Sequence, residues 1–313
     1  MSKTAIIWNE KFLQHDTGQG HPERPARLQA IHEVLQGYER TLSWLTPVLG
    51  DRDDIARIHT EAHIQQVEST QQRLQSYLDP DTVTSQRSWE AALFAVGSTI
   101  DCCQRVLDGE FDHAFAFVRP PGHHAETDHA MGFCLFNNIA IAAAHLIAGE
   151  HLKKIAIIDF DVHHGNGTQH SFYDRSDIFY VSTHQYPFYP GTGAANEKGT
   201  GAGAGYTLNL PMTAGAGDEE YKIAFQNKII PTLQAYQPEI ILVSAGYDAH
   251  RLDPLANINL TQEGFYSIIA MIHKLAFDCC QGKQVYVLEG GYSLEGLQEG
   301  VKATLRVLTE KNN

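Results

Sequence analysis

The chain is poor in cysteine and has no excess of positive charge. Its 313 residues contain five cysteines, with no Cys-X-X-Cys pair among them: Cys102, Cys103, Cys134, Cys279 and Cys280. This excludes a small disulfide-stapled fold and a cysteine-rich structural metal site. The formal net charge is −14, from 23 lysines and arginines against 37 aspartates and glutamates. Such a charge opposes binding to nucleic acid or anionic membranes, so neither is expected as a partner.

Long apolar runs are also missing. No run reaches the roughly 18 apolar residues that a membrane-spanning helix needs. The first residues lack the charged-then-apolar pattern of a signal segment. We therefore expect a soluble protein in the cytoplasm, with a negative surface that attracts cationic ligands.

Apolar strand-like runs alternate with helical patterns along most of the chain. Strands are predicted at residues 113–118, 154–159, 178–183, 239–245 and 284–288, after a short run at 5–8. Helices are predicted at residues 24–36, 86–107, 138–150, 218–235 and 261–280. Continuous Val and Ile runs are typical of strands buried on both faces of a parallel sheet. The pattern predicts one doubly wound α/β domain over residues 1–313, with a mobile glycine-rich loop at 191–205.

Polar side chains follow four of the predicted strands, at the point where each strand ends. Ligands of open α/β sheets bind beyond the carboxyl ends of the strands, so we expect these side chains to converge. They are His123 and His124 after the first of these strands, Asp159, Asp161 and His163 after the second, Asp248 after the third and Tyr292 after the fourth.

Two carboxylates and one imidazole in this set have the composition of a catalytic metal site. Asp161, His163 and Asp248 supply two oxygen ligands and one nitrogen ligand. Three protein ligands leave a coordination position open for water or substrate, which distinguishes catalytic from structural zinc. A site with two metal ions would need further bridging acids, and Ala249 and His250 follow Asp248. One metal ion is therefore favoured.

The adjacent histidines His123 and His124 suit the hydrolysis of an amide, which needs a base to activate water and an acid to protonate the leaving nitrogen. Asp159 and Asn166 are candidate partners, and their unequal charge would give the two imidazoles different protonation states. Tyr292 could donate a hydrogen bond to a developing oxyanion. Taken singly, a chance histidine pair and a packing tyrosine remain alternatives.

Taken together, these segments resemble the zinc-dependent histone deacetylase family, within the arginase/deacetylase fold. The resemblance runs from about residue 15 to 292, and its features are similar to those of the class II branch and of bacterial-type histone deacetylase-like amidohydrolases. It implies a three-layer α/β/α domain with a central, mostly parallel sheet. The matching segments are residues 21–28, 119–126, 132–138, 159–167, 189–193, 244–248, 253–255 and 289–292.

The resemblance also implies roles for individual residues. It makes Asp161, His163 and Asp248 the ligands of one zinc ion. His124 becomes the general base and acid, His123 its electrostatic partner, and Tyr292 the group that polarises the substrate carbonyl. A narrow acetyl-lysine channel would be lined by Gly132, Phe133, Tyr189 and Leu255.

Monovalent cation sites, usually for potassium, are implied as well. An inner site would use Asp159, Asp161, His163, Ser182 and Thr183, and an outer site Phe172, Arg175, Ile178 and Tyr206. Glu61 would represent the rim acid that relatives use to hold the substrate backbone.

The expected reaction is release of acetate from acetylated lysine in a protein or peptide. An acetylpolyamine or another acetylated small amine is the alternative substrate, although Leu255 stands where polyamine-selective relatives carry an acid. A protein that binds acylated ligands without catalysis is a third possibility, against which the intact set of histidines, metal ligands and tyrosine argues. A homo-oligomer is possible. The loops at residues 14–20, 77–87 and 186–205 are expected to select the substrate.

Overall fold

An eight-stranded, all-parallel sheet forms the centre of the computed structural model, which describes residues 3–149 and 152–310. Its strands run in the order β2-β1-β5-β10-β9-β6-β7-β8, while β3 and β4 form a separate antiparallel hairpin. The strands are β1 (Thr4–Ile7), β2 (Leu42–Trp44), β3 (Gln75–Asp79), β4 (Thr82–Ser85), β5 (His113–Ala116), β6 (Ile155–Asp159), β7 (Ile178–Gln185), β8 (Thr207–Met212), β9 (Ile240–Ala245) and β10 (Gln284–Leu288).

Helices in two packed groups contact the sheet and complete a three-layer domain. One group contains α4 with α5 and α2, and the other contains α9 with α10, α1, α7 and α8. A π-helical turn at Phe225–Ile229 joins α7 to α8. The helices are α1 (Ala26–Leu35), α2 (Arg52–Ile55), α3 (Glu61–Ser69), α4 (Ser88–Leu107), α5 (Asn138–Gly149), α6 (Asn166–Ser171), α7 (Asp218–Ala224), α8 (Ile230–Tyr236), α9 (Gln262–Cys280) and α10 (Leu294–Thr309).

Burial on both faces explains the sequence of the central strands. Every residue of β6, β9 and β10 is buried. A strand covered by helices on both sides has no polar face, so Ile and Val follow one another without alternation. The predicted class, a single α/β domain with a central parallel sheet, is therefore confirmed.

The predicted helices and strands are all found, within a few residues at their ends. The predicted end of α5 at Glu150 lies outside the described residues. The strands and α-helices that were not predicted are β2, β3, β4, β8, α2, α3, α6 and α10. Each of these four strands has a solvent-exposed or half-buried position and lacks a continuous apolar run. Among the described helices, none has the length and apolarity needed to cross a membrane.

The glycine-rich segment is irregular, as predicted, but it is held by hydrogen bonds. The Glu197 carboxylate accepts from the backbone N–H groups of Gly193 and Ala194 at 3.1 and 3.0 Å, and from Gln169 at 2.6 Å. The His184 ring lies 2.9 Å from the Gly193 carbonyl oxygen. The expected mobility of this loop stays a prediction.

Candidate active site

The strand order brings the four polar loops to one place. β5, β10, β9 and β6 are consecutive neighbours in the sheet and run parallel, so their carboxyl ends share one edge. Those strands are far apart in the chain. Their adjacency in the sheet therefore creates the site, as expected for an open α/β fold.

Asp161, His163 and Asp248 form the centre of this site. Their ligand atoms all lie within 4.8 Å of one another, and no other such group of three occurs among the described residues. The Nδ1 atom of His163 is 3.2 Å from a carboxylate oxygen of each aspartate. Backbone N–H groups fix both acids: Gly290 donates to Asp161 at 2.8 Å, and Val162 donates to Asp248 at 2.9 Å. Three converging ligands of this type fit a catalytic zinc ion.

Two glycines allow the chain to pass close to these carboxylates. A side-chain carbon at Gly246 would collide with the Asp161 carboxylate, and one at Gly290 would collide with that of Asp248. Gly246 directly follows the last residue of β9, and Gly290 lies two residues after the end of β10. Only a residue without a side chain leaves room at these positions for the aspartates.

Charge is poorly balanced here without a cation. We call Asp159, Asp161 and Asp248 the acid cluster; all three are buried, and no lysine or arginine among the described residues forms an ion pair with them. Burial and the neighbouring Asp161 charge raise the pKa of Asp248 to about 7. An unpaired buried carboxylate is strongly disfavoured, so the cluster calls for a metal ion.

The two adjacent histidines have different partners. His123 Nδ1 lies 3.0 Å from an Asp159 oxygen, whereas His124 Nδ1 lies 2.7 Å from the Asn166 amide oxygen. Burial lowers the pKa of His123, but the Asp159 and Asp161 charges outweigh it and leave the pKa raised. Burial, reinforced by His123, holds the pKa of His124 well below its usual range. The opposite directions of these two pKa shifts favour a charged His123 and a neutral His124, as their candidate partners imply.

Tyr292 is held at the edge of the site by Asp253. The Asp253 carboxylate accepts the backbone N–H groups of Tyr292 at 2.7 Å and Ser293 at 3.1 Å. The Tyr292 ring packs edge-on against Phe133, with 5.7 Å between centroids, and the Arg27 guanidinium lies 5.1 Å from its ring centre. Burial raises the pKa of the phenol, so the hydroxyl keeps its proton and can donate a hydrogen bond.

A cavity of about 200 Å³ reaches this site from the surface. It contains all four residues that the resemblance implied for a channel. The structure also brings His124, His163 and Tyr292 to the cavity wall. The lining residues are Asp81, His124, Gly132, Phe133, His163, Phe188, Tyr189, Leu255 and Tyr292.

Asp81 and Phe188 line the cavity and were not predicted. Phe188 stacks on His163, with 5.7 Å between ring centroids. Glu61, the expected rim acid, is not among the residues that line the cavity; it starts α3 and pairs with Arg52 at 2.7 Å. Asp81 occupies the rim in its place, on the turn of the β3–β4 hairpin. No periodic pattern marks a residue on such a turn, which is why sequence reasoning missed it.

A second buried group of charged residues contacts the turn that carries Tyr292. We call Glu23, Arg27 and Arg119 the arginine cluster; all three side chains are fully buried. The Glu23 carboxylate pairs with both guanidinium groups. Arg27 also donates to the carbonyl of Gly291, the residue before Tyr292, at 2.7 Å, and to the Glu289 carbonyl. The cluster thereby fixes the turn that carries Tyr292.

Glu289 links that turn to the histidines. Its carboxylate accepts the backbone N–H groups of Gly122 at 2.7 Å and His123 at 3.1 Å. Burial raises its pKa to about 7. Sequence reasoning gave this residue no role, because an acid after a buried strand has the same local pattern whether it binds a ligand or backbone groups.

The residues of the inner cation site lie together. Three residues of the outer site lie on the segment from Phe172 to Ile178, and Tyr206 is the residue before β8. Asp159 and Ser182 are register partners on β6 and β7. The Thr183 hydroxyl is buried without a partner in the described structure. At the outer site, the Phe172 carbonyl accepts the Arg175 N–H at 3.1 Å, and the Tyr206 carbonyl accepts the Tyr180 N–H at 3.0 Å. These carbonyl groups retain a second lone pair for a cation.

The fold and the site together define a single α/β domain with a central parallel sheet and one group of residues that could hold a metal ion among the described residues. Comparison with known proteins gives the family. The Histone deacetylase domain matches residues 21–308. The chain belongs to the histone deacetylase family.

Individual relatives cover nearly the whole chain. Histone deacetylase 15 of Arabidopsis thaliana is 40% identical over 99% of this chain, which spans 57% of that relative's length. A probable deacetylase of Archaeoglobus fulgidus is 39% identical, covering 94% of this chain and 82% of its own. The crystal structure of the HDA15 HD domain superposes with a TM-score of 0.94 at 39% identity, covering 98% of this chain and 88% of the other.

Proposed function

We propose that this protein is a zinc-dependent deacetylase that hydrolyses the amide of N-acetylated lysine in proteins or peptides and releases acetate. The observation that carries the proposal is the narrow cavity with His163, His124 and Tyr292 on its wall, above a buried acid cluster that has no lysine or arginine partner among the described residues. The family membership and the deacetylase names of the relatives support the same reaction.

Asp161, His163 and Asp248 are the proposed zinc ligands. The fit rests on their convergence, their burial and the absence of a lysine or arginine partner among the described residues. When bound, zinc supplies a Lewis acid that polarises a carbonyl and makes a water molecule easier to deprotonate.

His124 is the proposed general base and acid. Its Nδ1 atom faces Asn166, which leaves Nε2 as the free acceptor in a neutral ring. His124 takes a proton from the attacking water and later gives a proton to the lysine nitrogen that leaves. His123, charged through Asp159, favours the developing negative charge and keeps His124 neutral until the reaction begins.

Tyr292 and the channel walls act on the substrate. The Tyr292 hydroxyl donates to the oxygen that becomes negative when the acetyl carbonyl is attacked. The Gly132 carbonyl accepts the amide N–H, while Phe133, Tyr189 and Leu255 exclude water around the lysine methylene groups. A side chain at Gly132 would collide with the His124 ring, so glycine is required there.

Potassium at the two predicted cation sites is a further part of the proposal. Asp159, Asp161, His163, Ser182 and Thr183 would bind the inner ion. Its positive charge would stabilise the acid cluster from the side of β7. Phe172, Arg175, Ile178 and Tyr206 would bind the outer ion. A cytoplasmic location and a homo-oligomer stay predictions.

Acetate release separates this proposal from its alternatives. Purified zinc-loaded protein is incubated with an acetyl-lysine peptide and, in parallel, with acetylputrescine. We expect acetate from the peptide at the higher kcat/KM. Faster turnover of acetylputrescine would assign the protein to polyamines, and no acetate from either substrate would favour a binding protein. In each case the lysine deacetylase assignment would fail.

A further inference from the structure

A groove of about 490 Å³ opens beside the mouth of the channel. It lies between the segment at residues 17–22 and the β3–β4 hairpin, and it shares Asp81 and Phe133 with the channel. Two of the loops expected from the sequence to select the substrate therefore meet here. The groove is lined by Thr17, Gly18, Gln19, Gly20, His21, Pro22, Gln75, Tyr77, Pro80, Asp81, Val83 and Phe133.

The walls of the groove are joined to each other and to the channel. The two ring nitrogens of His21 lie 2.9 Å from the Glu23 carbonyl oxygen and 3.1 Å from that of Asp81. The His21 ring packs edge-on against Phe133, with 4.8 Å between centroids, and the Phe133 N–H donates to the Thr82 hydroxyl at 3.1 Å. A surface that is already formed loses little conformational entropy when a ligand binds.

The groove presents negative charge and an exposed aromatic ring. Its lining residues include the Asp81 carboxylate but no lysine or arginine. Asp79 is the last residue of β3, two positions before Asp81 on the same hairpin, where it pairs with Thr82. The Tyr77 side chain is 65% exposed, although large apolar residues are usually covered. Carboxylates beside an open aromatic face suit a guanidinium or ammonium group, which can pair with the acids and stack on the ring.

We infer that this groove binds the peptide segment next to the acetylated lysine and prefers a segment that carries arginine or lysine within two positions of it. The inference rests on the proposed deacetylase function. An extended chain advances about 3.3 Å per residue, so two neighbours on either side reach about 7 Å from the channel mouth. The groove begins at the mouth itself, because Asp81 and Phe133 belong to both.

Four acetyl-lysine peptides that differ at one neighbouring position test this inference. Each carries arginine or glutamate two positions before or two positions after the acetylated lysine, with alanine elsewhere. The kcat/KM values are measured for the parent protein and for Asp79→Asn and Tyr77→Ser. Each value is divided by the same protein's value on a small acetyl-lysine amide that ends before the groove. Asp278→Asn and Phe277→Ser, which alter an exposed acid and an exposed ring on α9, are the matched controls.

The parent protein should prefer arginine over glutamate at one of the two positions by about fivefold or more. Asp79→Asn should reduce that ratio by about two- to fivefold, the usual value of an exposed ion pair, and Tyr77→Ser should reduce it further. The control variants should keep the parent ratio. Added salt should reduce the ratio in the parent protein.

Three results would overturn the inference. The first is equal kcat/KM for the arginine and glutamate peptides. The second is an equal loss of the arginine preference in Asp79→Asn and Asp278→Asn, which would assign that preference to the overall charge of −14. The third is an Asp79→Asn variant that impairs acetylputrescine turnover but leaves the peptide ratio unchanged, since the groove would then serve polyamines. If the small amide itself is not hydrolysed, the proposed function fails instead, and the two failures are thereby distinguished.

Discussion

The acid cluster and the arginine cluster are both buried beneath the same pocket, but they balance their charge in opposite ways. In the arginine cluster, one carboxylate meets two guanidinium groups, whose remaining N–H groups bind the carbonyls of Phe12, His15, Glu289 and Gly291. In the acid cluster, three carboxylates contact imidazoles, backbone N–H groups and the Tyr180 hydroxyl. The first contains cationic partners with permanent charge, whereas the second has only titratable imidazoles and therefore favours a bound metal ion.

This difference separates a structural from a functional group of buried charges. A buried ion pair that is complete within the protein fixes a conformation, and breaking it leaves an unpaired charge. A buried group of acids without lysine or arginine partners can instead bind a cation. Composition alone does not distinguish the two, because both contain acids next to strand ends or helices. The partners of each acid do.

Removing a carboxylate from the acid cluster should have the largest effect. We expect Asp248→Asn to lose bound zinc and to lower kcat/KM by about a thousandfold or more, because both the ligand and the metal's catalytic effect are lost. The zinc content of the purified variant and its acetate release measure this. The parent protein, purified in parallel, is the control.

Asp248→Asn lowers activity, but it should raise thermal stability when zinc has been removed from both proteins. In chelator-treated protein, Asp248→Asn relieves repulsion within the acid cluster, so its unfolding temperature should exceed that of the chelator-treated parent. Adding zinc should stabilise only the parent. A variant that binds zinc as well as the parent would contradict the assigned ligand set.

Removing the carboxylate of the arginine cluster should instead destabilise the protein whether or not zinc is present. Glu23→Gln leaves two buried guanidinium groups without a counter-charge, and we expect it to lower the free energy of unfolding by about 3–5 kcal/mol. Urea unfolding with and without chelator measures this. A loss of stability seen only in the presence of zinc would show that the two clusters are not independent.

Tyr292→Phe tests a residue that we propose to contact the substrate and that belongs to neither cluster. Turnover should fall by about a hundredfold, as expected for loss of one hydrogen bond to an oxyanion, while zinc content stays that of the parent. Single-turnover acetate release and metal analysis measure the two quantities. Near-normal turnover would remove Tyr292 from the proposed mechanism.

Buried neutral histidines are a third kind of buried polar group, and they make the free energy of unfolding depend on pH. This effect is smaller than those expected for the two clusters. His59 Nε2 accepts the Asn137 N–H at 2.9 Å, and burial lowers the pKa of His59 to about 3. The unfolded chain has the ordinary value of about 6.5, so it binds a proton more readily below that pH. The stability is therefore complete above pH 6.5 and is lost as the pH falls towards 3, by about 2 kcal/mol at pH 5.

His59→Gln tests this pH dependence, because glutamine keeps an acceptor for Asn137 but does not titrate. Between pH 6.5 and 4.5, the slope of unfolding free energy against pH should decrease by about one proton relative to the parent. Urea unfolding at several pH values measures the slope. Equal slopes in both proteins would show that His59 does not contribute to acid sensitivity.

Much of the fold and of the site can be predicted from the sequence. The continuous Ile and Val run of β6 indicates a strand buried on both faces, and its closing acids indicate a metal ligand. The sequence also indicates Asp159 and Asn166 as partners of the two histidines, and the structure pairs them with His123 and His124 respectively. These features depend on neighbouring residues in the chain, and the resemblance to a known family joined them into one set.

The sequence by itself determined the α/β class, the strand ends that carry polar groups and the types of ligand available. Only the tertiary structure decided that Asp81 rather than Glu61 reaches the mouth of the channel, and that Asp253 and Arg27 hold the turn of Tyr292. Local patterns follow from the spacing of side chains on one helix or strand. Contacts between distant loops instead follow from the order of strands in the sheet, which no local spacing encodes.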